Sequence, residues 1–240
     1  MVTNNIPLAD SVVTFAEVLR RRGYATGFAG KWHLDGPGKP QWAPDRQFGF
    51  ADNRFMFNRG HWKKFNDTPR GPRIAARNEK GQATYAVDGA DEKTFSTDWL
   101  ASKAIEFINT NKDKPFYYYL SLPDPHGPNT DRAPYDTMYA NVNAAALRRI
   151  MPGYYGMVKC IDDNVGRILK ELRKHDLVDR TMIVFTSDYG DLCGEHGRLN
   201  KGVPYEGSAA FPSWFPVLAS SRQGPRSRRR LVLSTSSPLR

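Results

Sequence analysis

The stretch Gly23-Tyr24-Ala25-Thr26-Gly27-Phe28-Ala29-Gly30-Lys31-Trp32-His33 decides how the chain is read. It opens on a glycine that can stop a helix, runs on through small and apolar residues, and ends in a lysine and a histidine. Upstream, Val12, Phe15, Ala16 and Leu19 recur at helical spacing, which predicts a helix from Ser11 to Arg22 capped by Asp10 or Ser11. Tyr24 to Ala29 then predicts a strand. A strand that delivers Lys and His just past its carboxyl end belongs to an α/β fold, where ligands collect at that edge.

Two more helix–strand units lie downstream. Ser96, Thr97 or Asp98 can cap a helix reaching about Asn109, with Trp99, Leu100, Ile105 and Ile108 inward, followed by the strand-like run Phe116 to Leu122. A long helix is predicted from Tyr154 to His175, with Val158, Ile161, Val165, Ile168, Leu169 and Leu172 as its apolar face. Asp162-Asp163 falls inside that helix and reads as structural. Thr181 to Thr186 (TMIVFT) is apolar almost throughout, as a strand covered on both faces should be. The pattern predicts an α/β fold with a mostly parallel sheet flanked by helices. Residues 35–94, rich in Gly, Pro, Asn, basic residues and scattered aromatics, read as a long, partly irregular insertion on the substrate side. A second irregular stretch spans 123–153.

Composition narrows the classes further. The 240 residues are 40% apolar and 25% charged, which is ordinary globular composition and excludes wholesale disorder or a coiled coil. No apolar run is long enough for a transmembrane helix, and residues 1–20 lack a signal-peptide profile. Cys160 and Cys193 are too few for a disulfide framework or a four-cysteine zinc site, although one bridge is open to them. The net charge of +10 does not imply nucleic-acid binding. Six arginines without an acid lie in residues 211–240, which leaves +4 on the first 210 residues.

The three strand ends carry the chemistry. They are Gly30-Lys31-Trp32-His33, then Pro123-Asp124-Pro125-His126-Gly127-Pro128, then Ser187-Asp188-Tyr189-Gly190-Asp191 running on to Asn200-Lys201-Gly202. Lys and His there can hold an oxyanion and move protons, and a carboxylate can hold a hard cation. The run 23–33 resembles the second signature of the type I, formylglycine-dependent sulfatases of the alkaline-phosphatase-like superfamily. Residues 186–207 (TSDYGDLCGEHGRLNKGVPYEG) resemble their later metal-and-sulfate segment, and PDPHGP sits where they carry a substrate-facing histidine. The resemblance covers about residues 4–210, in the expected order.

That resemblance implies that Lys31 and Lys201 bind the sulfate. It implies that His33 orients the nucleophile, and that His126 contacts the ester oxygen and protonates the leaving alcohol. Asp188 would ligate one divalent cation, Ca2+. Tyr189 stands where the family has Asn or His, and a neutral phenol is a poor calcium ligand. The family's paired metal-binding aspartates and its C-x-P-S-R nucleophile motif are not in this sequence. The expectation is therefore a partial catalytic domain at 1–210, incomplete at both ends, poorly stable and inactive as this chain alone. Residues 211–240 would be a basic Ser/Arg-rich tail, disordered or frameshifted. The expected partner is a sulfate ester of a carbohydrate or aryl alcohol. A phosphate or phosphonate ester hydrolase, or a polyanion-binding module without catalysis, are the alternatives. Family members are often periplasmic, extracellular or lysosomal.

Overall fold

The computed structural model describes residues 6–36, 42–141, 150–199 and 201–210, and the backbone of 213–214. Most of the tail expected at 211–240 therefore lies outside the described residues.

The central sheet has three parallel strands in the order β2 (Asp52–Phe57), β1 (Ala25–Lys31), β5 (Phe116–Ser121). A hairpin, β3 (Phe65–Thr68) and β4 (Gly71–Ile74), separates β2 from the helix α2 (Ser96–Asn111). α2 lies on β1 and β5, and the long helix α4 (Met151–Lys174) lies on α2 and on the short α3 (Tyr135–Met138). The amino-terminal helix α1 (Phe15–Arg21) packs against β1. Phe55, Phe57, Phe65, Trp99 and Leu100 fill the core beneath α2. Ala16, Phe28, Phe48, Phe50 and Met56 fill the layer on the other side. At about 1.5–3 kcal/mol for each large apolar side chain removed from water, these two layers are the main stabilising term.

Two glycines make the strand edges possible. A Cβ at Gly27 would sit 2.6 Å from the Phe107 ring, so α2 can descend onto β1 only over a glycine. Gly30 has φ +111°, and a Cβ there would meet the Ser121 carbonyl oxygen at 1.8 Å.

Several expectations change in detail. α1 begins at Phe15, because Thr14 rather than Asp10 or Ser11 accepts the Glu17 N–H at 3.1 Å. Only Ala16 of its expected inward face is buried. In α2, Asp98 is no cap; it is buried inside the helix and takes both Nε and Nη2 of Arg132 at 2.7 and 2.9 Å. In α4 the buried stripe is Gly156, Met157, Cys160 and Asn164, because that side meets α2 and α3; of the residues expected inward Leu172 is buried, whereas Val158 is exposed. Asp163 accepts a hydrogen bond from the Tyr135 hydroxyl and pairs with Lys159, a structural role as expected.

Segment 35–94 is more regular than an insertion. It supplies β2 of the central sheet, the β3–β4 hairpin and much of the core, because its scattered aromatics are the side chains that close both layers.

The run 181–186 departs most. Only Phe185–Thr186 forms a strand, β6, and it pairs antiparallel with β7 (Ser213–Trp214) away from the central sheet. Met182 is 69% exposed, Val184 49% and Phe185 44%. A strand covered on both faces needs a neighbouring strand for its backbone groups. Among the described residues nothing pairs with 181–184, so its apolar side chains remain largely in water, with Ile183 alone packed partly against Leu172 and Leu177.

Candidate active site

The parallel pairing of β1 and β5 puts their carboxyl ends side by side, with Gly30 opposite Ser121. Lys31 is the last residue of β1, and the Ser121 hydroxyl donates to its carbonyl at 2.8 Å, which pins this edge. From there the side chains converge. Lys31 Nζ donates to His61 Nε2 at 2.5 Å, and the His61 ring stacks on His126 with centroids 3.5 Å apart and 13° between planes. The cleft beside them, about 330 Å3, is lined by His126, Gly127, Asn129, Asp191 and Lys201.

A buried ion pair holds the His126 loop. Lys63 and Asp124 pair with both side chains wholly buried. Lys63 Nζ also donates to the His126 carbonyl at 3.3 Å and to Met157 Sδ at 3.0 Å. Thr97 Oγ1 donates to the second oxygen of Asp124 at 2.5 Å. Segment 58–64, α2, α4 and the loop after β5 therefore meet at one charge pair directly behind the histidine. Breaking such a pair is expensive, because the remaining charge stays buried and uncompensated.

The electrostatics follow from several cations sharing a half-buried space. Burial, then Lys201, pushes the Lys31 ammonium down to about 8. Burial, then Lys31, pushes His33 down to about 4 and His61 down to about 3. His126 is lowered by burial, against a raising contribution from its Gly127 carbonyl contact at 3.0 Å. Because a carbonyl only accepts, Nδ1 of His126 carries the proton and Nε2 is bare in the neutral ring. At neutral pH Lys31 is thus charged while His33 and His61 are neutral. An entering oxyanion meets the Lys31 ammonium, with Lys201 at the same cleft, beside the neutral rings of His33 and His61.

Of the residues expected at the site, Lys31, His33 and His126 are brought together, and Lys201 reaches the same cleft. Asp188 lies beside Lys201, with Nζ to Oδ2 3.8 Å. Tyr189 lies beneath the same ammonium, 5.3 Å from ring centroid to Nζ. His196, on the same segment, stacks on Tyr205 instead. Neither His61 nor Lys63 stood out in the sequence. Both lie in the segment read as an insertion, and only the parallel pairing of β1 with β2 carries them to the site. The dipeptide spacing His61-x-Lys63 just after an aromatic run was the available signal.

A parallel α/β sheet with lysines and histidines gathered at its carboxyl edge is an arrangement at which anionic ligands can collect. Comparison with known proteins makes this specific: the sulfatase family model matches residues 1–223, and the chain belongs to the sulfatase family. It is similar to the sulfatase YdeN of Escherichia coli, 31% identical over an alignment of 220 residues that covers 87% of this chain and 38% of that protein. It is similar also to an arylsulfatase of Clostridium perfringens, 30% identical over 155 residues, covering 52% of this chain and 32% of the relative. Among solved structures, yidJ from Bacteroides fragilis superposes with a TM-score of 0.66 at 26% identity, covering 88% of this chain and 51% of its own. The chain thus spans between about a third and a half of these relatives.

Family membership implies a divalent cation. The described residues do not fit one. No group of three or more His, Cys, Asp or Glu side chains among them could hold a metal ion. The Asp188 side chain is 77% exposed, one of its oxygens faces Lys201, and the other accepts the Tyr189 N–H. One exposed carboxylate facing an ammonium is far from the six to eight oxygens that Ca2+ takes. No helix among the described residues is long and apolar enough to cross a membrane. Cys160 and Cys193 are both free thiols.

Proposed function

We propose that this chain supplies the anion-binding half of a sulfate-ester hydrolase acting on a sulfated carbohydrate or aryl alcohol. The convergence of Lys31, His33, His126 and Lys201 around one cleft carries the reading. Lys31 and Lys201 neutralise the sulfate oxygens. Lys31 is poised for this, because bound anion favours its charged form and offsets the burial that lowers it. His126, with Nδ1 committed to the Gly127 carbonyl, presents Nε2 toward the ester oxygen. Once an anion compensates the neighbouring lysines, Nε2 can hold a proton and pass it to the leaving alcohol. His33, half-buried beside Lys31, orients the attacking group through a neutral ring. The calcium expectation belongs to the family rather than to the residues described above.

Other matched relatives support a sugar substrate by their names, among them an N-acetylglucosamine-6-O-sulfatase of Bacteroides thetaiotaomicron. The domain limit at 210 and the periplasmic, extracellular or lysosomal setting are carried with the proposal as expectations. Two measurements test it. Calorimetric titration of the chain with inorganic sulfate should show binding that Lys31→Ala weakens by at least about tenfold, and no binding by the folded wild type would end the reading. Reading the gene on either side of these codons for an in-frame Asp-Asp and C-x-P-S-R decides the chemistry. If both are present, the encoded protein should be assayed on sulfate and phosphonate esters in parallel. If neither is, catalysis is withdrawn in favour of anion binding.

A further inference from the structure

We infer that Tyr85, Trp62 and His61 form the wall that receives the sugar ring bearing the sulfate, so that the site selects a sulfated pyranose over an aryl sulfate. The inference rests on the sulfate-binding reading above and adds the leaving-group side to it. Trp62 and Tyr85 rings lie 4.7 Å apart, and Tyr85 lies 6.2 Å from His61, which itself stacks on His126 and accepts from Lys31. An unbroken row of rings therefore runs from the anion site outward.

The row is held in place. Trp62 Nε1 donates to the Arg59 carbonyl at 2.8 Å, and its indole folds back over Gly60, where a Cβ would come within 2.1 Å of Nε1. Gly60 has φ +103°, so two independent features of that turn require glycine in order to seat the ring. Behind it Trp62 rests on the core, while Tyr85 at the outer end stays 41% exposed. Tyr85 packs against this anchored indole and keeps its outer part open to water, so the pair presents a ring surface that continues from His61.

The cleft's chemistry selects the occupant. A pyranose has an apolar C–H face that lies on aromatic rings and a rim of hydroxyls that need acceptors and donors. The wall supplies the first, and Asn129 and Asp191, which line the cleft together with the His126 that stacks on His61, supply the second. An aryl group would use the rings and leave Asn129 and Asp191 desolvated without partners, which costs affinity.

The test compares ligands on the full chain by calorimetry: inorganic sulfate, galactose 6-sulfate, N-acetylglucosamine 6-sulfate and 4-nitrophenyl sulfate. At least one sugar sulfate should bind more tightly than both inorganic sulfate and the aryl sulfate. In Tyr85→Ala the ratio of sugar-sulfate to inorganic-sulfate affinity should fall about three- to tenfold. Tyr85→Phe should restore it, since the ring and not the hydroxyl carries the contact. Near-UV CD of each variant verifies that the fold is retained. An unchanged ratio in Tyr85→Ala, or an aryl sulfate that equals the sugars, overturns the inference while leaving sulfate binding intact. Failure of inorganic sulfate to bind the wild type removes the underlying reading and this inference with it.

Discussion

The two halves of the site are built differently. The half at the ends of β1 and β5 is held by the sheet, by the Ser121 contact to Lys31 and by the wholly buried Lys63–Asp124 pair. The half carrying Asp188 and Lys201 hangs from β6, two residues long and outside the central sheet, and its ion pair is open to water. Chemically similar groups therefore act under different dielectric conditions. A lysine in the first half has its pKa moved by its surroundings, whereas an exposed pair such as Asp188–Lys201 is screened by solvent.

The largest effect should come from the tether. Lys63→Met removes the charge and leaves Asp124 buried, so urea unfolding should show a loss of about 3–5 kcal/mol. A loss below about 1 kcal/mol would mean that the pair is not the anchor of the His126 loop. Next, sulfate affinity should separate the two lysines. Lys31→Ala should weaken it by at least tenfold, from loss of a charged hydrogen bond worth about 1.5–3 kcal/mol. Lys201→Ala should weaken it no more than about fivefold, and added salt should reduce that difference. Equal effects would place both lysines in the same environment and erase the contrast.

Acid should act through the first half. His33 and His61 are held neutral in the folded chain, down to about 4 and 3, against 6.5 when unfolded. The unfolded state therefore binds more protons between pH 6.5 and 3, and stability falls as pH is lowered through that window. Asp131 works the other way. Burial raises its carboxyl to about 7, so the folded state keeps that proton and loses stability as pH rises from 4 to 7. Asp131→Asn should therefore steepen the fall of Tm from pH 7 to pH 4 and raise Tm at pH 8. An acid-insensitive Tm in both proteins would contradict the neutral histidines. The smallest effect belongs to the exposed strand: Phe185→Ser should change stability by no more than about 0.5 kcal/mol, whereas Phe57→Ala, wholly buried on β2, should cost about 3–5 kcal/mol. A large loss at Phe185 would show that 181–186 is packed after all.

Local pattern was enough to locate much of this. Helical spacing outlined α1, α2 and α4, with Gly23 as the stop of the first, and a strand ending in Gly30-Lys31-Trp32-His33 announced the α/β class and the sheet edge where the candidate site lies. Pattern failed where a side chain's fate depends on distant partners. Asp98 has the residue type of a helix cap, yet Arg132 across the fold draws it inward. Val158 matches a helical apolar period, but the face that meets α2 and α3 is the one bearing Met157, Cys160 and Asn164.

The sequence by itself determined the class of fold, the family and the residues at the strand ends, because periodicity, turn chemistry and motif spacing are properties of neighbours along the chain. Only the tertiary structure decided that β2 lies beside β1 and brings His61 and Lys63 to the site, that Lys63 and Asp124 share one buried space, and that 181–186 remains exposed. Burial and charge pairing join residues tens of positions apart, and the free energy of each depends on what the completed packing places around it.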